Sequence, residues 1–304
     1  MANNGYDAIV VGARCAGSPT GMLLAGKGYK VLVVDSATFP SDTISTHLVH
    51  PPGVAALDRW GLLDRVVATG CPPLHTYRFD FGPVKIAGSP GTDDHPVAYA
   101  PRRTVLDKIL VDAADEAGAE VREGFTVEGV EIEDGRVVGI RGHGRDGKTV
   151  TERAGVVVGA DGRHSRIAEA VEPEQYHDAP PILCGYYTYW SNFPHDGSFE
   201  VHARAERGWA VMPTNDDLTL IVGGWPMAEF EANRHDVEGN YMKMFELEPE
   251  FAERLRGATR EARFVGTNVA NYFRRPFGPG WALVGDAGYN KDFITAQGIT
   301  DAFR

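Results

Sequence analysis

The sequence predicts an α/β protein in which a parallel sheet is interrupted by a second, mainly antiparallel sheet. Short runs without polar residues, at 8–11, 156–158 and 281–284, have the composition of strands buried on both faces of a parallel sheet. Each run is followed by a loop that contains glycine. Between the second and third runs, residues 174–272 are rich in aromatic and β-branched side chains, which favours an antiparallel sheet. One helical stretch, predicted over 235–256, interrupts this sheet.

Residues 6–35 predict a strand, a glycine turn, a helix and a second strand. The turn carries Gly12, Arg14 and Gly17 where the dinucleotide fingerprint G-x-G-x-x-G has three glycines, and Asp35 ends the second strand. In this motif a phosphate binds at the helix N-terminus and the acid binds ribose hydroxyls. Gly12 permits the tight turn, and Gly17 lets the helix pack closely on the strand. Arg14 departs from the fingerprint, either donating to a pyrophosphate or crowding the turn.

Charge and cysteine content exclude several classes of partner. The formal net charge of −12 disfavours nucleic acids and anionic membrane surfaces, which bind to basic faces. Cys15, Cys71 and Cys184 lack metal-ligand spacing, so we expect no metal site and a reducing, cytoplasmic location. The N-terminal apolar run is too short to span a bilayer, and no stable membrane insertion is expected.

The segment after Asp35 is a polar loop, residues 36–50, followed by a helix predicted over 54–66 with prolines at its start. Two interpretations of Ser45-Thr46-His47 stay open. The segment could line a ligand site or supply a proton, or Ser or Thr could cap the helix while His47 faces solvent. Residues 71–100 then alternate like strands, as an excursion from the first domain.

Later segments repeat the arrangement of a strand end with an acid. A helix is predicted over 105–118, and a hairpin turns at Asp134-Gly135. Asp161-Gly162 follows the strand at 156–158 and precedes a helix, and Gly285-Asp286 follows the strand at 281–284. Open α/β sheets bind ligands at such strand ends. Together with Asp35, these acids indicate one long ligand with hydroxyls and phosphates.

These motifs, in this order, resemble the FAD-dependent monooxygenases of the p-hydroxybenzoate hydroxylase type over nearly the whole chain. The likeness is strongest to a branch that begins GARCAGS, and it implies a Rossmann-like FAD-binding domain with an inserted antiparallel substrate domain. In that family Asp161-Gly162 is associated with the pyrophosphate and NAD(P)H, and Asp286 binds the ribityl side of FAD. The resemblance implies cofactor contacts at Gly12, Ala13, Arg14, Ala16, Gly17, Asp35, Ser36, Arg103, Val127, Asp161, Gly162, Gly285, Asp286, Gln297, Gly298 and Ile299.

The resemblance also implies a reaction in two halves. NAD(P)H delivers hydride to the flavin, and the reduced flavin traps O₂ as a C4a-hydroperoxide that hydroxylates an apolar or aromatic small molecule. His47 is the one candidate catalytic residue, as a proton donor or a contact at the flavin edge. We expect residues 1–70, 98–173 and 274–304 to form the FAD-binding domain, and residues 71–97 and 174–273 to form the substrate domain.

Alternative functions remain on the same scaffold. Geranylgeranyl reductases, which reduce C=C bonds, carry Y-x-W-x-F-P, and flavin halogenases carry W-x-W-x-I-P. Here the stretch Gly208-Trp209-Ala-Val-Met-Pro213 has its Trp one place off, so neither motif is present. Phe293 stands where the family has proline near the flavin. The last helix, predicted from Ala296, stops at Arg304, so we expect a truncated chain and keep a non-catalytic FAD-binding fragment as a third possibility.

Overall fold

The computed structural model describes residues 5–304. The helices are α1 Gly17–Ala25, α2 Pro51–Arg59, α3 Leu63–Val67, α4 Arg103–Glu116, α5 Arg166–Val171, α6 Phe230–Asn233, α7 Val237–Phe245, α8 Pro249–Arg256 and α9 Gly298–Ala302. The strands are β1 Tyr6–Val11, β2 Val31–Asp35, β3 Pro73–Leu74, β4 Tyr77–Asp80, β5 Lys85–Gly88, β6 Ala98–Tyr99, β7 Glu120–Glu123, β8 Thr126–Glu133, β9 Arg136–His143, β10 Thr149–Gly159, β11 Gln175–Ala179, β12 Leu183–Ser191, β13 Phe199–Arg204, β14 Arg207–Pro213, β15 Thr219–Pro226, β16 Thr259–Arg260, β17 Val265–Asn268, β18 Asn271–Arg274, β19 Phe277–Gly278, β20 Trp281–Leu283 and β21 Tyr289–Asn290.

The first sheet has the order β19-β20-β10-β1-β2-β7, and its inner strands run parallel, as the sequence predicts. Alternate residues of β1 enter different cores. Ile9 packs with Leu32 and the β8–β9 hairpin, whereas Val10 packs with Val33 and the helices α1 and α4. Burial of both faces explains why these strands carry unbroken apolar runs.

The strand predicted at 156–158 is the end of a longer one, because β10 spans Thr149–Gly159. Its first half pairs antiparallel with β9, and its second half pairs parallel with β1 and β20. The hairpin around Asp134-Gly135 is therefore continuous with the parallel sheet. Both turn residues have positive φ, 49° and 74°, as a two-residue hairpin turn requires.

The second sheet has the order β16-β12-β15-β14-β13-β4-β5, with β17 also paired to β12. It is mainly antiparallel, which confirms the prediction, and only the β13–β4 pair among these described strands is parallel. Strands β4 and β5 come from the predicted excursion at 71–100. One sheet face packs under α7 and α8, and the other faces the first sheet's domain.

Two predicted helices are each broken in two. The helix expected over 54–66 divides into α2 and α3, because Gly61 adopts φ +70° at the junction. The helical stretch expected over 235–256 divides into α7 and α8, because Pro249 has no N–H to continue a helix. Within residues 5–304, the structure contains no helix that is long and apolar enough to cross a membrane.

Candidate functional site

A cavity of about 720 Å³ opens between the carboxyl ends of the parallel strands and the second sheet. Most of the predicted cofactor residues line it, although they come from seven separate stretches of the chain. Ala13, Gly17 and His47 lie behind its wall instead. The lining members of the predicted set are Gly12, Arg14, Ala16, Asp35, Ser36, Arg103, Val127, Asp161, Gly162, Gly285, Asp286, Gln297, Gly298 and Ile299.

The glycines of the first turn allow three loops to approach one another closely. Gly12 has φ +101°, and a Cβ there would lie 2.4 Å from the carbonyl oxygen of Ala160. A Cβ on Gly17 would lie 1.7 Å from the carbonyl oxygen of Gly12, and one on Gly285 would lie 2.8 Å from Ala16 Cβ. Larger residues would push the loops apart, so the glycines leave bare backbone at the cavity wall.

The close packing of helix α1 on a strand, which was predicted to depend on Gly17, depends in part on another glycine. Gly17 packs on its own turn and on Ala160, rather than on the neighbouring strand. The close approach of α1 to β2 occurs at Gly21, where a Cβ would lie 2.5 Å from Val33 Cγ2. A glycine inside a helix costs about 1 kcal/mol relative to alanine. The glycine at position 21 was therefore the feature of the sequence that could have indicated this close packing.

Asp35 is tied to the glycine turn. Its Oδ2 accepts the Ala13 N–H at 2.8 Å, and its Oδ1 accepts the Ala37 N–H at 2.8 Å. Ala13 thus contributes through its backbone, behind the wall. Each carboxylate oxygen has two acceptor positions, so both oxygens can still accept a ligand hydroxyl.

Asp161 and Asp286 differ in what they are free to do. Asp161 Oδ2 accepts the first two backbone N–H groups of α5, those of Arg166 and Ile167, at 2.7 and 3.3 Å. Its Oδ1 is buried without a partner among residues 5–304. Asp286 faces the cavity, and no described residue forms a hydrogen bond with its side chain. Desolvation raises the pKa of both carboxyls, and Arg103 partly offsets the rise at Asp286.

A buried carboxylate that the sequence did not single out lies beside the turn. Asp107, on α4, is completely buried and pairs with Arg103 through two hydrogen bonds of 2.9 and 3.0 Å and with Arg14 at 2.5 Å. Cys15 Sγ lies 3.4 Å from Asp107 Oδ1. Desolvation raises the pKa of the Cys15 thiol, so Cys15 is a buried neutral group.

His47 is fully buried, so the interpretation in which it faces solvent beside a helix cap is wrong. The cap residue of α2 is His50, and no side chain caps that helix. The Nε2 atom of His47 contacts the Tyr189 hydroxyl, and its Nδ1 has no partner among the described residues. Desolvation, followed by the nearby Arg103, lowers the pKa of His47 to about 3. A neutral imidazole does not act as a proton-donating cation at neutral pH.

A second histidine, which sequence reasoning missed, joins three separate segments beside the cavity. His50 Nε2 lies 3.1 Å from the carbonyl oxygen of Thr295 and must donate to it, so Nδ1 accepts the Tyr77 hydroxyl at 2.7 Å. The His50 N–H donates to Thr300 Oγ1. Desolvation lowers the pKa of His50, which favours this neutral form.

The loop before α9 differs from the predicted helix start. Ala296 has φ +51°, so α9 begins two residues later, at Gly298. Phe293 begins a 3₁₀ turn, and its ring lies against Gly185 of β12 on the cavity wall. This ring lies at the boundary between the part of the cavity near the glycine turn and the second sheet.

The displaced Trp209 lies on the sheet face that is turned away from the cavity. It packs against Phe245 and Phe251 under α7 and α8. Its neighbour Ala210 lies on the opposite face and pairs with Val222, which lines the cavity. The position that carries Trp in the reductase motif is therefore held by alanine here.

Outside the cavity, Asp80, His202 and Glu248 bring potential ligand atoms within 4.8 Å of one another. Their charges are already matched by basic groups. Arg204 pairs with both carboxylates, and Lys85 lies 2.9 Å from Asp80. Two cations beside the cluster oppose a metal ion electrostatically, and the group is a balanced ionic network.

The fold and the cavity define an α/β scaffold whose glycine turn and strand-end acids are typical of dinucleotide-binding proteins. Residues 5–253 match the family model described as FAD binding domain, and the chain belongs to this family of FAD-dependent flavoproteins. The glycine cradle, the free Asp286 carboxylate and the orphaned Asp161 Oδ1 fit a ligand rich in phosphates and hydroxyls, as FAD is.

Individual relatives carry several activities. The chain is 32% identical over 311 residues to a digeranylgeranylglycerophospholipid reductase 2 of Methanopyrus kandleri, covering 97% of this chain and 73% of the relative. It is 31% identical to the phenazine 1,6-dicarboxylic acid hydroxylase PhzS of Lysobacter antibioticus, covering 84% and 61%. The solved structure of the myxobacterial chondrochloren halogenase superposes with a TM-score of 0.91 at 25% identity, covering 98% and 72%.

Proposed function

We propose that this protein is an NAD(P)H-dependent monooxygenase that hydroxylates an apolar or aromatic small molecule. The observation that carries the proposal is the continuity of one cavity from the glycine turn to the second sheet. Gly12 and Asp35 line its polar end, and Tyr187, Val222 and Phe293 line its apolar end. A cofactor bound at the first end would present its reactive part toward a substrate at the second.

FAD in this cavity would accept hydride from NAD(P)H and activate dioxygen. The chain's own residues would hold it at both ends. Asp35 and Asp286 would accept hydrogen bonds from its hydroxyl groups, and the loops at Gly12 and Gly285 would let it approach bare backbone. Arg103 would bring positive charge from the wall. The predicted residues Gln297, Gly298 and Ile299 would approach from the loop that begins α9.

The second sheet would exclude water from the reacting end. Tyr187 and Val222 come from adjacent strands and form a directly paired, apolar part of the wall. Apolar walls favour an apolar substrate and strengthen the electrostatic interactions made by groups enclosed with it. His47, behind Thr46 and Tyr187, would orient Tyr189 and fix this wall, rather than supply the proton that the sequence-based hypothesis assigned to it.

The division into two domains follows the same boundary. We propose that 1–70, 98–173 and 274–304 bind FAD, while 71–97 and 174–273 bind the substrate. Strand β4, from the shorter insertion, pairs with β13 of the longer one, which supports the division. We also propose a cytoplasmic location, where NAD(P)H is available and the three buried free cysteines stay reduced.

The second candidate function is reduction of a C=C bond in an isoprenoid chain. The reductase relative that matches over 97% of this chain favours it. Ala210, at the position of the reductase motif's Trp and next to the cavity residue Val222, opposes it. Hydroxylation is therefore the preferred proposal.

The experiment that tests both candidates measures NAD(P)H oxidation by the FAD-loaded protein with and without O₂. Simple phenols, polyketide aromatics and polyprenyl lipids serve as trial substrates, and products are identified by mass spectrometry. A hydroxylated product that requires O₂ supports the proposal. Substrate-dependent NAD(P)H oxidation without O₂, giving a product two hydrogens heavier, would establish the reductase instead. Binding of FAD without turnover of any trial substrate would favour a non-catalytic flavin-binding module.

A further inference from the structure

The side chain of Arg14 reaches from the glycine turn toward the loop that precedes His47. Its position is the one at which the dinucleotide fingerprint has a glycine, so the side chain is an addition to the usual turn. We propose that Arg14 is a positioning residue that fixes the cavity wall at 41–46 to helix α4, and that Asp107 is its anchor.

The guanidinium of Arg14 is held on two sides by protein groups. Its Nη1 donates to Asp107 Oδ2 at 2.5 Å, and its Nη2 donates to Ser41 Oγ at 2.8 Å. The ring of Phe39 lies 5.2 Å from the guanidinium carbon, at a distance that permits a cation–π contact. The terminal nitrogens are thus engaged by α4 and by the loop.

Asp107 is suited to anchor this interaction. It has no exposed surface, and a buried carboxylate is tolerated only when cations and hydrogen bonds surround it. Arg103, on the same helix, supplies one fixed pair, and Arg14 supplies the second from the turn. A single carboxylate therefore connects α4, the glycine turn and, through Arg14, the loop.

The consequence for the site lies in the residues after Ser41. Thr43, Ile44, Ser45 and Thr46 line the cavity, and the buried His47 follows them directly. A planar guanidinium can donate to two partners in fixed directions, whereas a lysine ammonium is a flexible point charge. The geometry therefore requires the fork of arginine and not merely a positive charge.

The test uses the full chain loaded with FAD and compares Arg14→Lys, Arg14→Met and wild type. Hydrogen exchange of a peptide spanning 39–49 reports on the loop, and titration of apoprotein with FAD reports on cofactor affinity. We expect about tenfold faster exchange in both variants, because each loses the fork that holds the loop. Arg65→Met, which breaks the exposed pair with Glu116, is the matched control and should leave this peptide unchanged.

Two outcomes would overturn the proposal. If the 39–49 peptide exchanged at the wild-type rate in Arg14→Lys, a positive charge alone would suffice to hold the loop. Unchanged exchange in Arg14→Met, with or without weaker FAD binding, would show that Arg14 does not fix the loop, and weaker binding would then indicate a direct phosphate contact.

A double-mutant cycle tests the anchor. If Arg14 acts through Asp107, Arg14→Met/Asp107→Asn should exchange no faster in the 39–49 peptide than Arg14→Met does. If the two substitutions accelerated exchange additively, Arg14 and Asp107 would act independently, which would contradict the anchoring role of Asp107. Because loop exchange is measured without turnover, its result is independent of the hydroxylation proposal.

Discussion

The ring of Phe293 occupies the space that a side chain at Gly185 would need. A Cβ on Gly185 would lie 2.7 Å from Phe293 Cζ and 3.0 Å from Cε2. Both residues line the cavity, one from β12 and the other from the loop before α9. The contact therefore joins the second sheet to the loop expected near the flavin, across a sequence separation that no local pattern reveals.

We expect Gly185→Ala to lower the free energy of unfolding by about 1–3 kcal/mol, because the added methyl group must displace the ring. In Phe293→Ala/Gly185→Ala the clash with the ring is absent and only the carbonyl oxygen of Gly223, 3.2 Å from the added Cβ, stays close, so the double variant should lose less than the sum of the single losses. Urea unfolding of the four proteins measures this coupling. Gly88→Ala, on an exposed strand with open space around the Cα, is the control and should change little. Additive losses would contradict the contact.

The local parts of the fold could be predicted because neighbouring residues determine them. Residues 6–35 carry buried apolar runs, a glycine turn and a closing acid, and the structure forms β1, α1 and β2 there. The helix breaks at Gly61 and Pro249 were also visible in the sequence, but the apolar pattern around them continued and outweighed these signals.

Contacts between distant residues in the site could not be predicted in the same way. Arg14 meets Asp107 from 93 positions away, and His47 meets Tyr189 from 142 positions away. A short polar motif such as Ser45-Thr46-His47 is compatible with a helix cap or a buried site, and only tertiary packing decides between them.

Asp286→Ala should weaken FAD binding more than Asp161→Ala does. The Asp286 carboxylate has no partner within the described residues, so it is free for a ligand hydroxyl. Losing one charge-assisted hydrogen bond costs about 1.5–3 kcal/mol, or roughly a 10- to 150-fold weaker Kd. Titration of apoprotein with FAD measures the difference.

Asp161→Ala should instead lower the stability of the apoprotein. Its Oδ2 accepts the first two backbone N–H groups of α5, in addition to the Ser165 cap, and loss of such contacts at a helix N-terminus costs about 0.5–2 kcal/mol. Thermal unfolding of both apoproteins separates the two roles. Equal FAD affinities of the variants, or an unchanged Tm for Asp161→Ala, would remove this division.

Glu200→Gln should make the protein less sensitive to acid. Burial raises the pKa of Glu200, but the ion pair with Arg254 and the contact with His202 outweigh it and leave the pKa at about 2. A depressed carboxyl pKa stabilises the fold above the ordinary value of 4.5, and this contribution is lost as the pH falls toward 2.

The full contribution of Glu200 is on the order of 3 kcal/mol. Unfolding free energies measured between pH 5 and 3 should fall less steeply in Glu200→Gln than in wild type. Glu116→Gln, which alters an exposed pair with Arg65, is the control: Arg65 lowers the pKa of Glu116 as well, but solvent screens this pair, so the slope should change much less than in Glu200→Gln. Parallel slopes for wild type and Glu200→Gln would show that Glu200 is not the responsible group.

His47→Phe should change the dependence of stability on pH in a different window. Because its pKa is lowered from 6.5 to about 3, His47 binds a proton more readily when the chain is unfolded. Between these two values acid favours the unfolded state, and each pH unit below 6.5 removes about 1.4 kcal/mol of stability. Above 6.5 both states are neutral at this residue, and the contribution is complete.

In His47→Phe, the unfolding free energy should fall less steeply between pH 6.5 and 5, because the unfolded variant binds one proton fewer. Glu200 contributes little in this range. Leu220→Ala, which truncates a buried side chain in the same core, is the control: it should cost about 2–5 kcal/mol at every pH and leave the slope intact. The pKa of His47 can also be followed directly by NMR of its ring protons in the wild-type protein. A midpoint near 6.5 would mean that His47 is hydrated and free to carry a proton, and would restore it as a candidate proton donor.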